Sequence, residues 1–169
     1  WIGSEGTFGG SGTNWQTSSS TLTPTTPAVL TAETKKGLAL KRTYSLDDKF
    51  MFTIVDTVKN NSDKPIYLQS FARLVRVNTP DTLGFFILHE GPIGVIDDTL
   101  QEIKYSSLKD DYDLDNRKPQ PTTTPTTGGW LGITDKYWLA AVIPDQNVPV
   151  NASFSYQETS SGADLYQTD

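Results

Sequence analysis

The 169 residues carry a net charge of −6 and an isoelectric point of about 4.7. That length fits one domain able to hide about 70% of its extended-chain surface, while the acidic balance excludes a phosphate-backbone partner or a charge-driven grip on anionic lipid. The absence of cysteine excludes disulfides, thiolate zinc sites and thiol nucleophiles.

Residues 1–27 form a Gly/Ser/Thr-rich arm with Pro24 and Pro27, but Trp1, Phe8 and Trp15 interrupt its polarity. A pure linker has no use for such rings, so part of the arm is expected to pack on the body, residues 28–169. The first residue is Trp, and no signal sequence or run of ~20 apolar residues occurs. The chain therefore reads as a processed or excised piece whose membrane anchor, if it has one, lies outside it.

From Ala28 the pattern is that of strands. Leu38, Leu40, Tyr44 and Leu46 alternate with Lys41, Thr43 and Ser45, with Arg42 the exception on the apolar side. Phe50, Phe52, Ile54 and Val58 share one face of a second stretch, opposite Thr53 and Thr57. This period of two with β-branched and aromatic residues predicts half-buried strands. Ser45 to Lys49 and Asn60 to Pro65 are turns, and Ile66 to Val77 is expected to complete a three-stranded meander. The one basic cluster, Lys35-Lys36 with Lys41-Arg42, reads as a solvated strand edge.

Further on come the apolar run Phe85 to Leu88, then His89-Glu90-Gly91-Pro92, an acidic stretch Asp110 to Asp115, and a Pro/Thr-rich loop Arg117 to Thr127. Gly128-Gly129, a permissive turn, opens Trp130 to Ile133, and Thr134-Asp135-Lys136 separates that run from Tyr137 to Ile143 with the spacing of a hairpin. No helix of ten or more residues and no internal repeat is evident. Many short strands between turn signals imply an all-β sandwich.

Catalytic patterns are weak. His89 and Glu90 are sequential, so on a strand they face opposite ways, and one His cannot complete a zinc site. Asp111, Asp113 and Asp115 have calcium-loop spacing, but Asn116 and Thr122 stand where Gly and Glu are needed. No nucleophile elbow or phosphate loop occurs, and a carboxylate pair for glycoside hydrolysis is a matter of three-dimensional separation. Trp130, Tyr137 and Trp138 could line a sugar-binding surface; the competing expectation puts Trp130 and one of the other two in the core.

Several stretches together carry a resemblance. Val58-Lys59-Asn60-Asn61-Ser62-Asp63-Lys64-Pro65 resembles the V-x-N-x-x-x-K-P turn of the first periplasmic domain of YidC insertases. Leu88-His89 with a following glycine, Gly94 matching better than Gly91, is similar to a short stretch of that family, as is Gln101 to Tyr105. Most specific is Gly128 to Pro144, which resembles the G-G-W-x-x-x-x-x-x-Y-x-x-x-x-x-I-P run position for position through Gly128, Gly129, Trp130, Tyr137, Ile143 and Pro144. The likeness covers about residues 28–150; the N-terminal arm departs from it.

The resemblance implies a twisted antiparallel two-sheet β-sandwich, a supersandwich of mutarotase-like outline, with the motif residues structural. It also implies a chain truncated before further strands and a terminal helix, leaving an edge exposed or paired with another molecule. It further implies a non-catalytic periplasmic domain, without cofactor, of a polytopic inner-membrane protein that helps membrane proteins insert and fold. Its partners would be that protein's transmembrane helices, Sec translocon accessory subunits and nascent membrane proteins. A carbohydrate-binding or mutarotase-like domain, or a secreted β-domain of unrelated role, are the alternatives.

Overall fold

A computed structural model describes residues 1–3, 6–82, 88–112 and 122–169. Every ladder among them is antiparallel, and one six-residue helix accompanies fifteen strands, so the expected all-β sandwich is what the structure shows. The chain divides into two compact units, Trp1–Phe71 and Ala72–Asp169.

In the first unit, β1 (Ile2–Gly3), β2 (Gly6–Thr7), β3 (Gln16–Thr17), β4 (Ala28–Glu33), β5 (Leu38–Leu46), β6 (Phe52–Asn60) and β7 (Leu68–Gln69) form two sheets, ordered β2-β1-β7 and β3-β4-β5-β6. The β5–β6 ladder runs unbroken from Leu38↔Asn60 to Leu46↔Phe52. Alternation turns Leu38 and Leu40 inward onto Ala32 and Phe8, with Trp1, Trp15, Val58, Ile66 and Leu68 at the margin of this small core. The Trp1 amino group donates to the Phe8 carbonyl at 2.8 Å, and the Phe8 N–H returns a bond to Trp1 at 2.9 Å.

Three expectations for this region need correction. Lys41-Arg42 is no strand edge, because β5 lies between β4 and β6. Arg42 occupies the apolar side because its cross-strand partner is Asp56, which accepts both guanidinium bonds at 2.6 Å, with the Trp15 ring 5.6 Å away. The apolar face of β6 is not half-buried at its start: Phe52 and Ile54 are each more than half exposed, since β6 ends the sheet and the small core reaches only Val58. Ile66 to Val77 is not one strand. Leu68 joins the first unit's core and Leu74 the second's, and residues 70–73 between β7 and β8 belong to no strand. The even spacing of Ile66, Leu68 and Leu74 made two short strands look like one.

The second unit contains β8 (Leu74–Val77), β9 (Gly91–Ile96), β10 (Thr99–Glu102), α1 (Tyr105–Asp110), β11 (Thr122–Thr127), β12 (Trp130–Asp135), β13 (Trp138–Val142), β14 (Pro149–Glu158) and β15 (Asp164–Thr168). Two four-stranded sheets, β10-β9-β12-β13 and β11-β14-β15-β8, share one core. Ile96, Leu131 and Ile133 come from the first sheet, Ala152, Phe154, Tyr156 and Tyr166 from the second. Helix α1 adds Tyr105 and Leu108, three residues apart and so on one face.

Asp97 and Asp98, at φ 50° and 55°, make the two-residue turn between β9 and β10, the left-handed pair that suits the twist of a hairpin. The hairpin expected after Gly129 is present as β12 and β13. The Pro/Thr-rich loop is partly a strand: Thr122–Thr127 pairs with β14 throughout. Threonine is β-branched, and Pro125 is tolerated because β11 is an edge strand. Residues 117–121 of that expected loop, residues 85–87 of the apolar run, and Asp113, Asp115 and Asn116 of the calcium reading lie outside the described residues.

Candidate functional site

Two of the motif stretches close on their own backbone. In the turn after β6, Asn60 Oδ1 accepts from the Ser62 N–H at 3.0 Å and from its hydroxyl at 2.7 Å, while Asn60 Nδ2 donates to the Lys64 carbonyl at 2.7 Å. An asparagine that both accepts and donates holds both ends of a tight turn. Lys64 takes part through its carbonyl, and Pro65 follows it, exposed.

In the Gly128–Pro144 run, Gly128 and Gly129 lie at φ 78° and 80°. A Cβ on Gly129 would meet the Val95 carbonyl oxygen at 2.1 Å, so no side chain fits there. The Gln146 side chain clasps the base of the hairpin. Its Oε1 accepts from the Gly129 N–H at 3.0 Å, and its Nε2 donates to the carbonyls of Gly129 at 3.0 Å and Pro144 at 2.7 Å. One amide thereby joins the start of β12 to the exit of β13. Gln146 escaped sequence analysis because it lies two residues past the recognisable run.

The aromatic residues of that run are not the core. Trp130 is half-buried, while Tyr137 is 84% exposed on the hairpin turn and Trp138 is 45% exposed. This corrects the expectation that one of the latter two is interior: β13 is the last strand of its sheet. Both exposed rings have a cation beside them. Lys136 Nζ sits 4.8 Å from the Tyr137 ring centroid, and the Arg76 guanidinium 5.9 Å from that of Trp138. Ile143 is exposed and Pro144 partly covered.

Leu88 is exposed, and His89 Nε2 lies 3.0 Å from the Pro92 carbonyl. Gly91, at φ 148°, has no room for a side chain, since a Cβ would come within 2.4 Å of the Ile103 carbonyl. The resemblance-derived residues thus lie in three stretches of the chain: the turn after β6, the segment leading into β9, and the β12–β13 hairpin with its flanks.

The densest polar constellation lies elsewhere, around Asp164 at the start of β15. Its carboxylate accepts from the Tyr156 hydroxyl at 2.5 Å, the Thr79 hydroxyl at 2.8 Å and Lys109 Nζ at 3.1 Å. Thr79 is also 2.6 Å from the Tyr166 hydroxyl. These donors, Tyr156 first, hold the Asp164 carboxyl below the usual carboxylate range. Burial pushes the Tyr156 and Tyr166 phenols up, and Asp164 adds to the rise at both. Tyr105 is likewise raised, by burial first and then by its 2.8 Å bond to Asp135. A carboxylate already holding three donors makes a poor base, and phenols so shifted stay neutral at physiological pH.

Sequence analysis assigns no strand beyond Ile143, although Val150, Ala152, Phe154 and Tyr156 alternate there; that signal could have located this aromatic core. Beside it lies a cavity of about 420 Å³, walled by Ile103, Leu108 and Phe154 with Asp97 and Asp111 at its polar side. Among the described residues no group of three His, Asp or Glu could hold a metal ion, and no helix is long and apolar enough to cross a membrane.

The family model described as the YidC periplasmic domain matches residues 1–169. The chain is 42% identical over 148 residues to the membrane protein insertase YidC of Sinorhizobium fredii, a match covering 88% of this chain and 24% of that protein. It is 41% identical over 173 residues to that of Rhizobium meliloti, covering 100% and 28%. With that of Beijerinckia indica it shares 43% over 161 residues, covering 94% and 25%. The chain thus spans about a quarter of the length of these curated relatives. With the whole chain matched, a β-sandwich described and the hairpin run in place, this chain belongs to the YidC periplasmic domain family.

Proposed function

We propose that the chain is a non-catalytic accessory domain of a membrane protein insertase, standing on the periplasmic face of the bacterial inner membrane and aiding insertion and folding of inner-membrane proteins. The partners proposed are the transmembrane helices of the same insertase, Sec translocon accessory subunits and nascent membrane proteins. In this reading Asn60, Lys64, Pro65, Leu88, His89, Gly128, Gly129, Trp130, Tyr137, Ile143 and Pro144 are structural residues, and insertion itself is the work of the membrane helices.

Family membership supports the reading, and the observation that carries it is the Gln146 clasp. The most specific motif of the chain presents its backbone donor and acceptors to its own Gln146. The test is removal of this domain from the whole insertase, followed by measured insertion of model membrane proteins. Insertion retained wholly or in large part is the expected result. A defect as severe as loss of the entire insertase contradicts it.

A further inference from the structure

The tip of the β5–β6 hairpin carries three exposed apolar residues directly after its charged turn, Asp47-Asp48-Lys49. β4 pairs with β5 only from Ala39 to Tyr44, so from Ser45 to Thr53 the hairpin continues as a bare two-stranded ribbon. At its end Phe50 is 81% exposed, Met51 53% and Phe52 55%. Phe50 also holds φ 64°, uncommon for a bulky residue.

The turn that holds it is closed from within. Asp47 Oδ1 accepts from the N–H groups of Lys49 and Met51, each at 2.8 Å. The Asp47 N–H donates to the Met51 carbonyl at 3.1 Å, and the Phe50 N–H to the Asp47 carbonyl at 3.4 Å.

We propose that this tip is a membrane-interface anchor, with Phe50, Met51 and Phe52 seated at the headgroup–acyl boundary of a phospholipid bilayer. Three observations select lipid over a protein partner. The tip projects beyond the third strand, so it is a convex wedge and not a groove that cups a side chain. The N–H groups of Asp47, Lys49, Phe50 and Met51 are bonded within the turn, which lowers the cost of leaving water. The family is that of a periplasmic domain of membrane insertases, and the inference rests on that reading: a tethered domain meets the bilayer at high effective concentration, so a small apolar wedge suffices. Two aspartates against one lysine in the turn give no attraction to anionic lipid, so the contact is apolar and weakly salt-dependent.

The experiment uses the whole insertase carrying this domain, in an otherwise cysteine-free background, reconstituted into phosphatidylethanolamine–phosphatidylglycerol vesicles. This chain contributes no cysteine of its own. Spin labels are placed at Phe50→Cys and, in the turn beyond the other end of β6, at Asp63→Cys. The expected result is a several-fold higher ratio of oxygen to nickel-chelate accessibility at position 50 than at position 63. Equal, water-like ratios at both positions overturn the anchor. So does a position-50 label shielded from both agents, the signature of a partner strand or a second copy over the tip. Labelling of Asp63→Cys in spheroplasts by a membrane-impermeant maleimide reads topology alone, so failure of the periplasmic reading is told apart from failure of the anchor.

Discussion

The two units use their aromatic residues in different ways. In Ala72–Asp169, Tyr105, Tyr112, Tyr156 and Tyr166 meet in the core, with ring centroids 4.6 to 5.2 Å apart in edge-on and tilted contacts. In Trp1–Phe71 Phe8 is the one buried aromatic among the described residues, while Phe50 and Tyr67 stand 81% and 80% exposed. Both units are built from strands of the same period. A second four-stranded sheet covers the inner face in one of them, and in the other a sheet of two-residue strands covers only part of it. Alternation identifies which residues share a face; only the presence of a covering layer makes that face a core.

The sharpest way to break this comparison is to truncate one ring in each unit. Phe154→Ala is expected to cost about 3–5 kcal/mol in denaturant unfolding, because the site is packed from both sheets. Phe52→Ala, at a position 55% exposed, should stay within about 0.5 kcal/mol. Equal costs would mean that the face of β6 is covered in the folded protein.

Asp164→Asn is next. Losing the charge beside Tyr156, Thr79 and Lys109 should destabilise by about 1–3 kcal/mol at neutral pH. The same carboxylate sets a pH dependence. Its folded pKa is depressed, so its contribution is fully present above the unfolded value of about 3.9 and is lost as pH falls through the lower folded value. Unfolding midpoints measured from pH 6 downward should show an acid limb that is flatter in the Asn variant. Gly129→Ala should cost more than about 1 kcal/mol, since it combines φ 80° with a Cβ against the Val95 carbonyl. Gln146→Ala should cost about 1 kcal/mol, read as earlier hydrogen exchange at Gly129.

Much of this was legible in the residues. The β5–β6 pair, the turn after Asn60 and the β12–β13 hairpin each combine local alternation with turn chemistry, and both act over a few residues. The strands that were missed depend on distant partners. Thr122–Thr127 has little apolar alternation and is a strand because β14 lies beside it. Leu74–Val77 is expected as strand, but as the end of one run from Ile66; what sets it apart is its pairing with β15, some ninety residues on. The Asp164 hub joins residues 79, 109, 156 and 164, which no local spacing brings together. The exposed positions of Tyr137 and Trp138 depend in the same way on which strand ends a sheet.

The central claim is that this chain is the periplasmic domain of a longer inner-membrane insertase. Its most direct test is fractionation of cells with an antibody to this segment, combined with protease treatment of spheroplasts. The account predicts a signal on a much larger membrane-integral band, cleaved from the periplasmic side. A soluble protein of about 18.6 kDa would contradict it.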